Sequence, residues 1–290
     1  MLKYGFIAPA LIILIALNIF PLFYNIILGF TNSELSTGGT ECAGLRNYSI
    51  IFTEPKFAAA LRTTALFVFA AVTAELALGF GLALALKDRF RGKMPLLTLL
   101  LIPMMLSQAV MGRYWYLILN GESGILNNLL GMAGLHQPQW LNDPGLKLVS
   151  VLIIDVWMWT PFMMLIALAG LNSIPQYIYE AAEIDRAGTW TVFRRITLPM
   201  CAPLLVLAVL LRTTDALKQF DLVLATTGPN DAATQTLSAL LYQTVFKDSR
   251  VGLGCAYACI ILVIVIALAS VFTRYIDFIQ SKQGKTNAAR

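Results

Sequence analysis

Ionisable and metal-binding side chains are scarce in this chain of 290 residues. Charged residues make up 13% of it, which is about half of their share in a soluble globular domain. There is one histidine, His136, and the four cysteines form neither a CxxC pair nor a set with histidine. These shortages argue against a metal site and against a disulfide framework.

Sequence signatures of several enzyme classes are also missing. The chain has no GxxxxGK[ST] phosphate loop, so it carries no recognisable site for ATP. HExxH, GxSxG and paired catalytic residues with a supporting histidine are absent too. We therefore expect no catalytic residue in this chain and no cofactor bound by it.

Hydrophobic residues are abundant instead. They form 58% of the chain, and the mean hydropathy is +0.72. Such a chain lacks the polar groups to cover its own surface, so lipid must cover part of it. The net charge of +5 is spread among short loops, where it is better explained by orientation in a membrane than by nucleic acid. The composition predicts a polytopic membrane protein.

Six apolar segments are each long enough to cross a hydrocarbon core of about 30 Å. In lipid the backbone must satisfy its hydrogen bonds within each segment, so we expect an all-α protein with six transmembrane helices. We predict one transmembrane domain over residues 1–290, with a core at about 57–276. The segments are Tyr4–Phe30, Phe57–Leu86, Pro95–Leu119, Leu146–Leu171, Met200–Thr226 and Val251–Ile276.

Basic residues are concentrated in alternate connections. The opposite loops carry a few charges of both signs. The positive-inside rule then predicts that both termini are cytoplasmic. The basic residues on the predicted cytoplasmic side are Lys3, Lys87, Arg89, Arg91, Lys93, Arg186, Arg194, Arg195, Arg274, Lys282, Lys285 and Arg290.

The connection over residues 172–199 is too long for a simple turn and predicts two short helices, Ile178–Ala187 and Thr189–Ile196. Acidic residues on the first helix would be repelled by anionic lipid, so contact with a protein is favoured over an interfacial helix lying on the membrane. The residues that carry the helix signals are Ser173 and Gln176 as a capping box, Gly188 as a left-handed helix end, and Thr189 as the second cap.

From Glu180 to Pro199 the sequence reads EAAEIDRAGTWTVFRRITLP. It resembles the EAA loop of permease subunits in binding-protein-dependent ABC importers, whose usual form is EAAxxDGAxxxxxFxxIxLP. Arg186 stands where that family has glycine, and Gly188 can supply the flexible backbone instead. The matching residues are Glu180, Ala181, Ala182, Asp185, Ala187, Phe193, Ile196, Leu198 and Pro199.

The resemblance covers nearly the whole chain and is closest to the carbohydrate branch, which includes the glycerol-phosphate, trehalose and maltose permeases. It implies the type I ABC importer permease fold in the bacterial inner membrane. It also implies a second permease subunit, two ATPase subunits that bind ATP and Mg, an external solute-binding protein and a sugar substrate. Residues implied in ATPase coupling are Glu180, Ala181, Ala182, Asp185, Arg186 and Gly188. A local role of Glu180 in capping its helix stays open.

Ionisable residues within the spans are costly and are candidates for function. Arg212 and Asp215 share a helix face, so they form either a salt bridge or part of a polar cavity for sugar hydroxyls. Glu75 either faces a partner subunit or lines that cavity. By resemblance to the maltose permease, the sugar contacts correspond to Met104, Asp155, Met158, Trp159, Phe162, Arg212, Asp215 and Ala216.

Two other classes compete with the importer. An ion-coupled secondary sugar carrier would also hold polar residues inside its helices, but such carriers usually show internal repeats, and no convincing repeat relates the two halves of this chain. It would also leave the EAA-like loop unexplained. A membrane enzyme is disfavoured by the missing motifs. Whether the sugar is neutral or anionic is not decided by the sequence.

Overall fold

The computed structural model describes residues 2–34, 41–88 and 90–288. Over these residues the backbone is helical apart from its turns and loops, and extended pairing is limited to one isolated bridge between Thr31 and Cys42. The predicted all-α class is confirmed. Among the cations used for the orientation argument, Arg89 and Arg290 lie outside the described residues, and the cytoplasmic position of the termini stays a prediction.

The described residues form α-helices that are joined by turns and loops. The first half of the chain forms α1 (Leu2–Leu14), a π-helical turn (Ile15–Ile19), α2 (Phe20–Gly29), α3 (Arg46–Thr53), α4 (Pro55–Ala85), α5 (Lys93–Leu101), a 3₁₀ turn (Pro103–Met105), α6 (Gln108–Ile118) and α7 (Ile125–Met132). The second half forms α8 (Pro144–Asn172), α9 (Gln176–Ile184), α10 (Thr189–Val192), a π-helical turn (Phe193–Thr197), α11 (Leu198–Ala216), α12 (Asp221–Thr226), α13 (Leu237–Tyr242), a π-helical turn (Gln243–Lys247) and α14 (Val251–Ala288).

Among the described residues, five continuous helical stretches are long and apolar enough to cross a membrane. They match five of the six predicted segments, with shifted ends. The stretches are Ala8–Gly29, Pro55–Ala85, Pro144–Asn172, Thr189–Ala216 and Val251–Ile276.

The third predicted segment, Pro95–Leu119, is not one continuous helix. It consists of α5, a 3₁₀ turn and α6, and the backbone is extended at Leu106 and Ser107. Pro103 has no N–H to donate, and its ring crowds the carbonyl four residues earlier, which weakens the α-helix at this point. The third predicted segment is therefore an interrupted helix, and the count of six spans stays a prediction.

The fifth predicted segment, Met200–Thr226, is displaced along the chain. The helical stretch begins at Thr189, inside the predicted cytoplasmic loop, and ends at Ala216. It ends there because the chain turns: the Gln219 side-chain oxygen accepts the Phe220 N–H at 3.0 Å. Asp221–Thr226 is a separate short helix, α12, which packs against α6.

The packing of α4 against α8 forms the centre of the molecule. In lipid, helices associate through close van der Waals contact and small residues rather than through the hydrophobic effect. Gly79 supplies the closest approach, because a Cβ placed on it would lie 2.6 Å from the Met163 Cβ. Phe67, Ile154 and Met158 are buried in the same cluster. This pair of helices carries two of the ionisable residues described below.

Beyond α11 the chain folds back toward this centre. The Thr236 hydroxyl donates to the Gln219 carbonyl at 2.8 Å, and it also accepts the Ala239 N–H as the cap of α13. The Leu237 N–H donates to the Thr64 hydroxyl of α4 at 2.9 Å. These bonds fix the turn after α11 and hold it beside α4.

Candidate functional site: the cytoplasmic loop and a buried charge cluster

The start of the cytoplasmic loop differs from its prediction. The Ser173 hydroxyl donates to the Gly170 carbonyl at 2.8 Å, so Ser173 ends α8. The residue before α9 is Pro175, and no side chain caps that helix. The predicted capping box of Ser173 and Gln176 is therefore wrong: the last free carbonyls of α8 compete for the hydroxyl and win.

The turn after α9 is a Schellman motif centred on Arg186. The Arg186 N–H donates to the Glu183 carbonyl at 3.0 Å, and the Ala187 N–H donates to the Ala182 carbonyl at 2.9 Å. Arg186 has φ 52°, whereas Gly188 has φ −63° and precedes α10. The left-handed position is therefore Arg186 rather than Gly188, as the hydrogen-bond pattern requires.

The predicted cap of the second short helix is also displaced. Gly188 occupies the cap position of α10 without a side-chain bond, and Thr189 is the first helical residue. A π-helical turn then joins α10 to α11 without a break, so the loop's second helix is the beginning of the fifth span. Stacking of Trp190 on Phe193, with ring centroids 5.4 Å apart, supports this junction.

The side of α9 that faces the protein is held in place by two contacts. The Tyr179 hydroxyl lies 3.2 Å from the Thr197 hydroxyl, and the Lys87 ammonium lies 5.9 Å from the centre of the Tyr179 ring. Ala182 is buried on this side. The loop is therefore packed onto the ends of the spans.

The other side of the loop exposes both apolar and acidic residues. Tyr177, Ile184 and Trp190 are 68%, 82% and 69% exposed. Five of the six predicted coupling residues lie on the surface, and Ala182 is buried. The exposed five are Glu180, Ala181, Asp185, Arg186 and Gly188.

A cluster of ionisable side chains lies inside the helical core and is centred on Arg212 of α11. Its Nε donates to Glu75 Oε2 at 2.8 Å, and its Nη2 donates to Glu75 Oε1 at 3.0 Å, which gives a bidentate pair. Nη2 also donates to Asp155 of α8. Nη1 donates to Asp215 Oδ2 at 3.2 Å. The expected Arg212–Asp215 salt bridge is present, but two further carboxylates share the same guanidinium.

One amide and one indole ring complete the surroundings of the cluster. Gln219 Nε2 donates to Asp155 Oδ1 at 2.8 Å, and the Trp159 ring lies over the guanidinium at 5.0 Å. Arg212, Glu75 and Asp155 have at most 1% of their surface exposed. Charge pairing and these hydrogen bonds offset part of the cost of burying the three groups.

Glu75 and Gln219 are the members that sequence reasoning did not place. Glu75 was expected to face a partner subunit or a cavity, and both are wrong for this chain because the residue is fully buried against Arg212. The only signal for Glu75 was its charge within a span. Gln219 had no signal, because its function depends on a turn beyond the end of α11.

The eight predicted sugar-contact residues divide into two groups. The buried group has no more than 1% exposed surface and therefore cannot touch a ligand in this conformation; its members are Asp155, Met158, Arg212 and Ala216. The partly exposed group consists of Met104, Trp159, Phe162 and Asp215. Trp159 and Phe162 form an edge-to-face pair with centroids 6.2 Å apart, and the Asp215 side chain is 46% exposed.

A groove of about 930 Å³ lies elsewhere, between α4, α5 and α8. Leu78, Leu99, Ile153 and Trp157 line it, and no ionisable residue does. None of the eight predicted sugar contacts lines this groove, so its apolar wall is distinct from the charged cluster. Over the described part of the chain, no group of three or more His, Cys, Asp or Glu side chains is placed to hold a metal ion.

The fold is that of a multi-pass membrane protein with a structured loop before its fifth span and a buried charge cluster. The family model described as "Binding-protein-dependent transport system inner membrane component" matches residues 77–282. The chain belongs to this family of ABC importer permeases and is a multi-pass protein of the inner membrane.

Curated relatives belong to the carbohydrate branch that the sequence resembles. The chain is 33% identical over 273 residues to the trehalose/maltose transport system permease protein MalF of Thermococcus litoralis, covering 94% of this chain and 92% of that protein. It is 34% identical to the trehalose transport system permease protein SugA of Mycobacterium tuberculosis, covering 94% and 88%. It is 31% identical to the sulfoquinovosyl glycerol transport system permease protein SmoG of Agrobacterium fabrum, covering 93% and 88%.

A solved structure supports the fold. A chain of the bacterial alginate ABC transporter, crystallised in complex with an alginate pentasaccharide-bound periplasmic protein, aligns with a TM-score of 0.83 at 19% identity, covering 93% of this chain and 92% of that chain. The predicted ABC permease fold is confirmed.

Proposed function

We propose that this chain is the permease subunit of an ATP-driven importer that moves a sugar into the cytoplasm after receiving it from an external solute-binding protein. The observation that carries the proposal is the structure of the cytoplasmic loop. Ala182 and Tyr179 pack one side of it onto the protein, and the other side is exposed. Its second helix continues into the span that carries Arg212. Relatives named for trehalose, maltose and sulfoquinovosyl glycerol transport support a carbohydrate cargo.

The proposed assembly contains this chain, a second permease subunit, two ATPase subunits and the solute-binding protein. ATP and Mg bind to the ATPase subunits, and this chain contributes no catalytic residue and holds no cofactor. The missing phosphate loop supports this division of labour. The single cytoplasmic loop per permease supports one docking contact for each ATPase subunit.

The loop docks through two kinds of contact. Ile184 and Trp190 offer apolar surface, while Glu180 and Asp185 accept charge-assisted hydrogen bonds from basic residues of the ATPase. Ala181 is small and lets the ATPase approach the helix closely. Because α10 continues into α11, a displacement of the docked loop moves the fifth span with it.

The sugar passes along the partly exposed side of the charge cluster, between this chain and the second permease. One ring of the perpendicular pair Trp159–Phe162 stacks on the apolar face of a sugar ring, and the other packs at its edge. The Asp215 carboxylate accepts hydrogen bonds from its hydroxyls, and Met104 packs beside them. The buried residues Asp155, Met158, Arg212 and Ala216 support this surface from behind.

The Glu180→Lys variant tests the docking role. We expect ATP-driven uptake to fall at least tenfold, because a charge-assisted contact becomes a repulsive one at a cost of about 2–5 kcal/mol. Uptake and ATP hydrolysis are measured in proteoliposomes containing the complete transporter. Glu122→Lys, a charge reversal in the predicted outer loop, is the matched control and should import normally. Normal import by Glu180→Lys would refute the docking assignment.

An ion-coupled secondary carrier predicts a different dependence on energy. We expect an ATPase subunit that cannot hydrolyse ATP to abolish import in proteoliposomes. Dissipation of the ion gradients should leave import unchanged. The reverse pattern would favour the carrier.

A further inference from the structure

Arg212 is a buried cation of the helical core, and its hydrogen bonds limit the contacts that it can make with a ligand. Its guanidinium has five N–H groups, and four hydrogen bonds from it go to three carboxylates of this chain. The Trp159 ring lies over one face of the guanidinium, and 1% of the residue is exposed. Arg212 therefore offers almost no surface to an approaching ligand in this conformation.

The carboxylates around Arg212 are not equivalent. Glu75 is bidentate and fully buried, and Asp155 is buried and held by Gln219 from its other side. Asp215 is different, because its contact with Arg212 is the longest of the set at 3.2 Å and its side chain is 46% exposed. Asp215 is thus the one member of this cluster that offers a charged group to a ligand.

We propose that Arg212 is an internal counterion positioned by Glu75 and the Asp155–Gln219 pair. Asp215 is then the charged group of the cluster that meets the transported sugar, and the sugar is therefore uncharged. This rests on the proposed function of the same surface. A carboxylate accepts hydrogen bonds from neutral hydroxyls and repels an acid group. The arginine that an acidic sugar would need is already paired with three carboxylates of this chain.

Three helices and a turn meet at this counterion. Glu75 lies on α4, Asp155 on α8 and Arg212 on α11, while Gln219 lies in the turn held by the Thr236 hydroxyl. Loss of Glu75 would free the Nε edge of Arg212 and let the guanidinium move toward Asp215. Glu75 is thus a positioning residue: it acts on the sugar only through Arg212.

Lys218 is a second cation close to Asp215 along the chain. It is exposed, lies three residues after Asp215, and follows the end of α11. An acidic sugar would have to pair with Lys218 while Asp215 repelled it. Lys218→Gln therefore provides an arm of the experiment in which an acidic sugar cannot pair with Lys218.

The experiment compares single and double substitutions in the complete transporter. Glu75→Gln and Arg212→Gln should each lower the melting temperature of the purified transporter and reduce import at least tenfold. The double variant Glu75→Gln/Arg212→Gln should regain most of both, because it removes a buried charge together with its partner. Glu122→Gln is the control and should behave like the wild type. Asp155→Asn/Arg212→Gln repeats the test in case the first pair fails to assemble.

Two outcomes would overturn the counterion role. One is an Arg212→Gln variant that assembles and melts like the wild type yet does not import. The other is a double variant that regains stability but does not import. That result would mean that Arg212 or Glu75 contacts the sugar directly. Melting temperatures report on the counterion even if the wild type imports no sugar, a result that would sink the proposed function alone.

The charge of the sugar is tested separately. The solute-binding protein that purifies with the transporter is screened by thermal shift against trehalose, maltose, sulfoquinovosyl glycerol and alginate trisaccharide. Import of the strongest stabiliser is then measured with wild-type and Lys218→Gln transporters. We expect an uncharged sugar that both transporters import. An acidic sugar imported by either transporter would overturn the proposal.

Discussion

Two glycines of α4 allow the packing at the centre of the molecule to be tested by one added methyl group. A Cβ on Gly79 would lie 2.6 Å from the Met163 Cβ, 2.8 Å from the Met164 nitrogen and 3.0 Å from the Thr160 oxygen. Two of these neighbours are backbone atoms of α8, so they can yield only if the helices separate. Gly81, two residues along, would meet nothing within 4 Å.

The expected energies have opposite signs. Gly79→Ala must push α4 from α8 by nearly an ångström, and overpacking of this kind costs about 1–3 kcal/mol. Gly81→Ala meets open space and removes a flexible residue from a helix interior, which is worth up to about 1 kcal/mol. The change in composition is identical, so the difference between the two variants isolates the contact with α8.

The measurement is the thermal unfolding midpoint of the purified transporter in detergent, followed by sugar uptake in proteoliposomes. We expect Gly79→Ala to melt at a lower temperature than the wild type, and Gly81→Ala to melt at the same temperature or higher. Equal midpoints for the two variants, or a loss confined to Gly81→Ala, would refute the packing of α4 on α8 described above.

Three further predictions concern the loops. Arg186→Gly should stabilise the cytoplasmic turn by about 0.5–1 kcal/mol, because glycine accepts φ 52° without a Cβ clash. We expect proteolysis of the loop to become slower, and faster cleavage would contradict the prediction. Asn127→Ala should cost about 1–3 kcal/mol in unfolding free energy, because Asn127 donates to two backbone carbonyls and accepts the Trp140 N–H at 2.9 Å. An unchanged unfolding midpoint would argue against that network. Lys147→Met should lower the free energy of unfolding by about 1.5–3 kcal/mol, because the 2.5 Å ion pair with Asp231 is lost. Lys147→Arg should retain most of that stability. Equal losses in the two variants would contradict the pairing.

The long apolar helices could be predicted because their signal is a sum over many residues. The break at Pro103 could not be read from hydropathy, since α5 and α6 are both apolar and the extended residues between them are few. The end of the fifth span was misplaced for a related reason: the apolar residues of α12 continue the pattern, although the chain turns at Gln219.

The candidate site was only partly predictable. Asp155, Arg212 and Asp215 were identified because charge within a span is rare, and Arg212 and Asp215 were paired because they are three residues apart. The partner that binds Arg212 bidentately, Glu75, is 137 residues away along the chain, and no local pattern joins them. The side of each helix that is exposed depends on packing, so burial of Asp155 was not foreseen.

Because α10 continues into α11, a small tilt at the cytoplasmic loop would displace the charge cluster farther along the same helix. The stretch Thr189–Ala216 has 28 residues, about 42 Å of helix at 1.5 Å per residue. Its π-helical turn, Phe193–Thr197, inserts one extra residue where the span leaves the loop, and such turns are places where a helix bends. A tilt of about 10° pivoting there would carry Arg212, about 25 Å along the axis, sideways by about 4 Å. Because Arg212 is paired with Glu75 of α4 and Asp155 of α8, those helices would move with it.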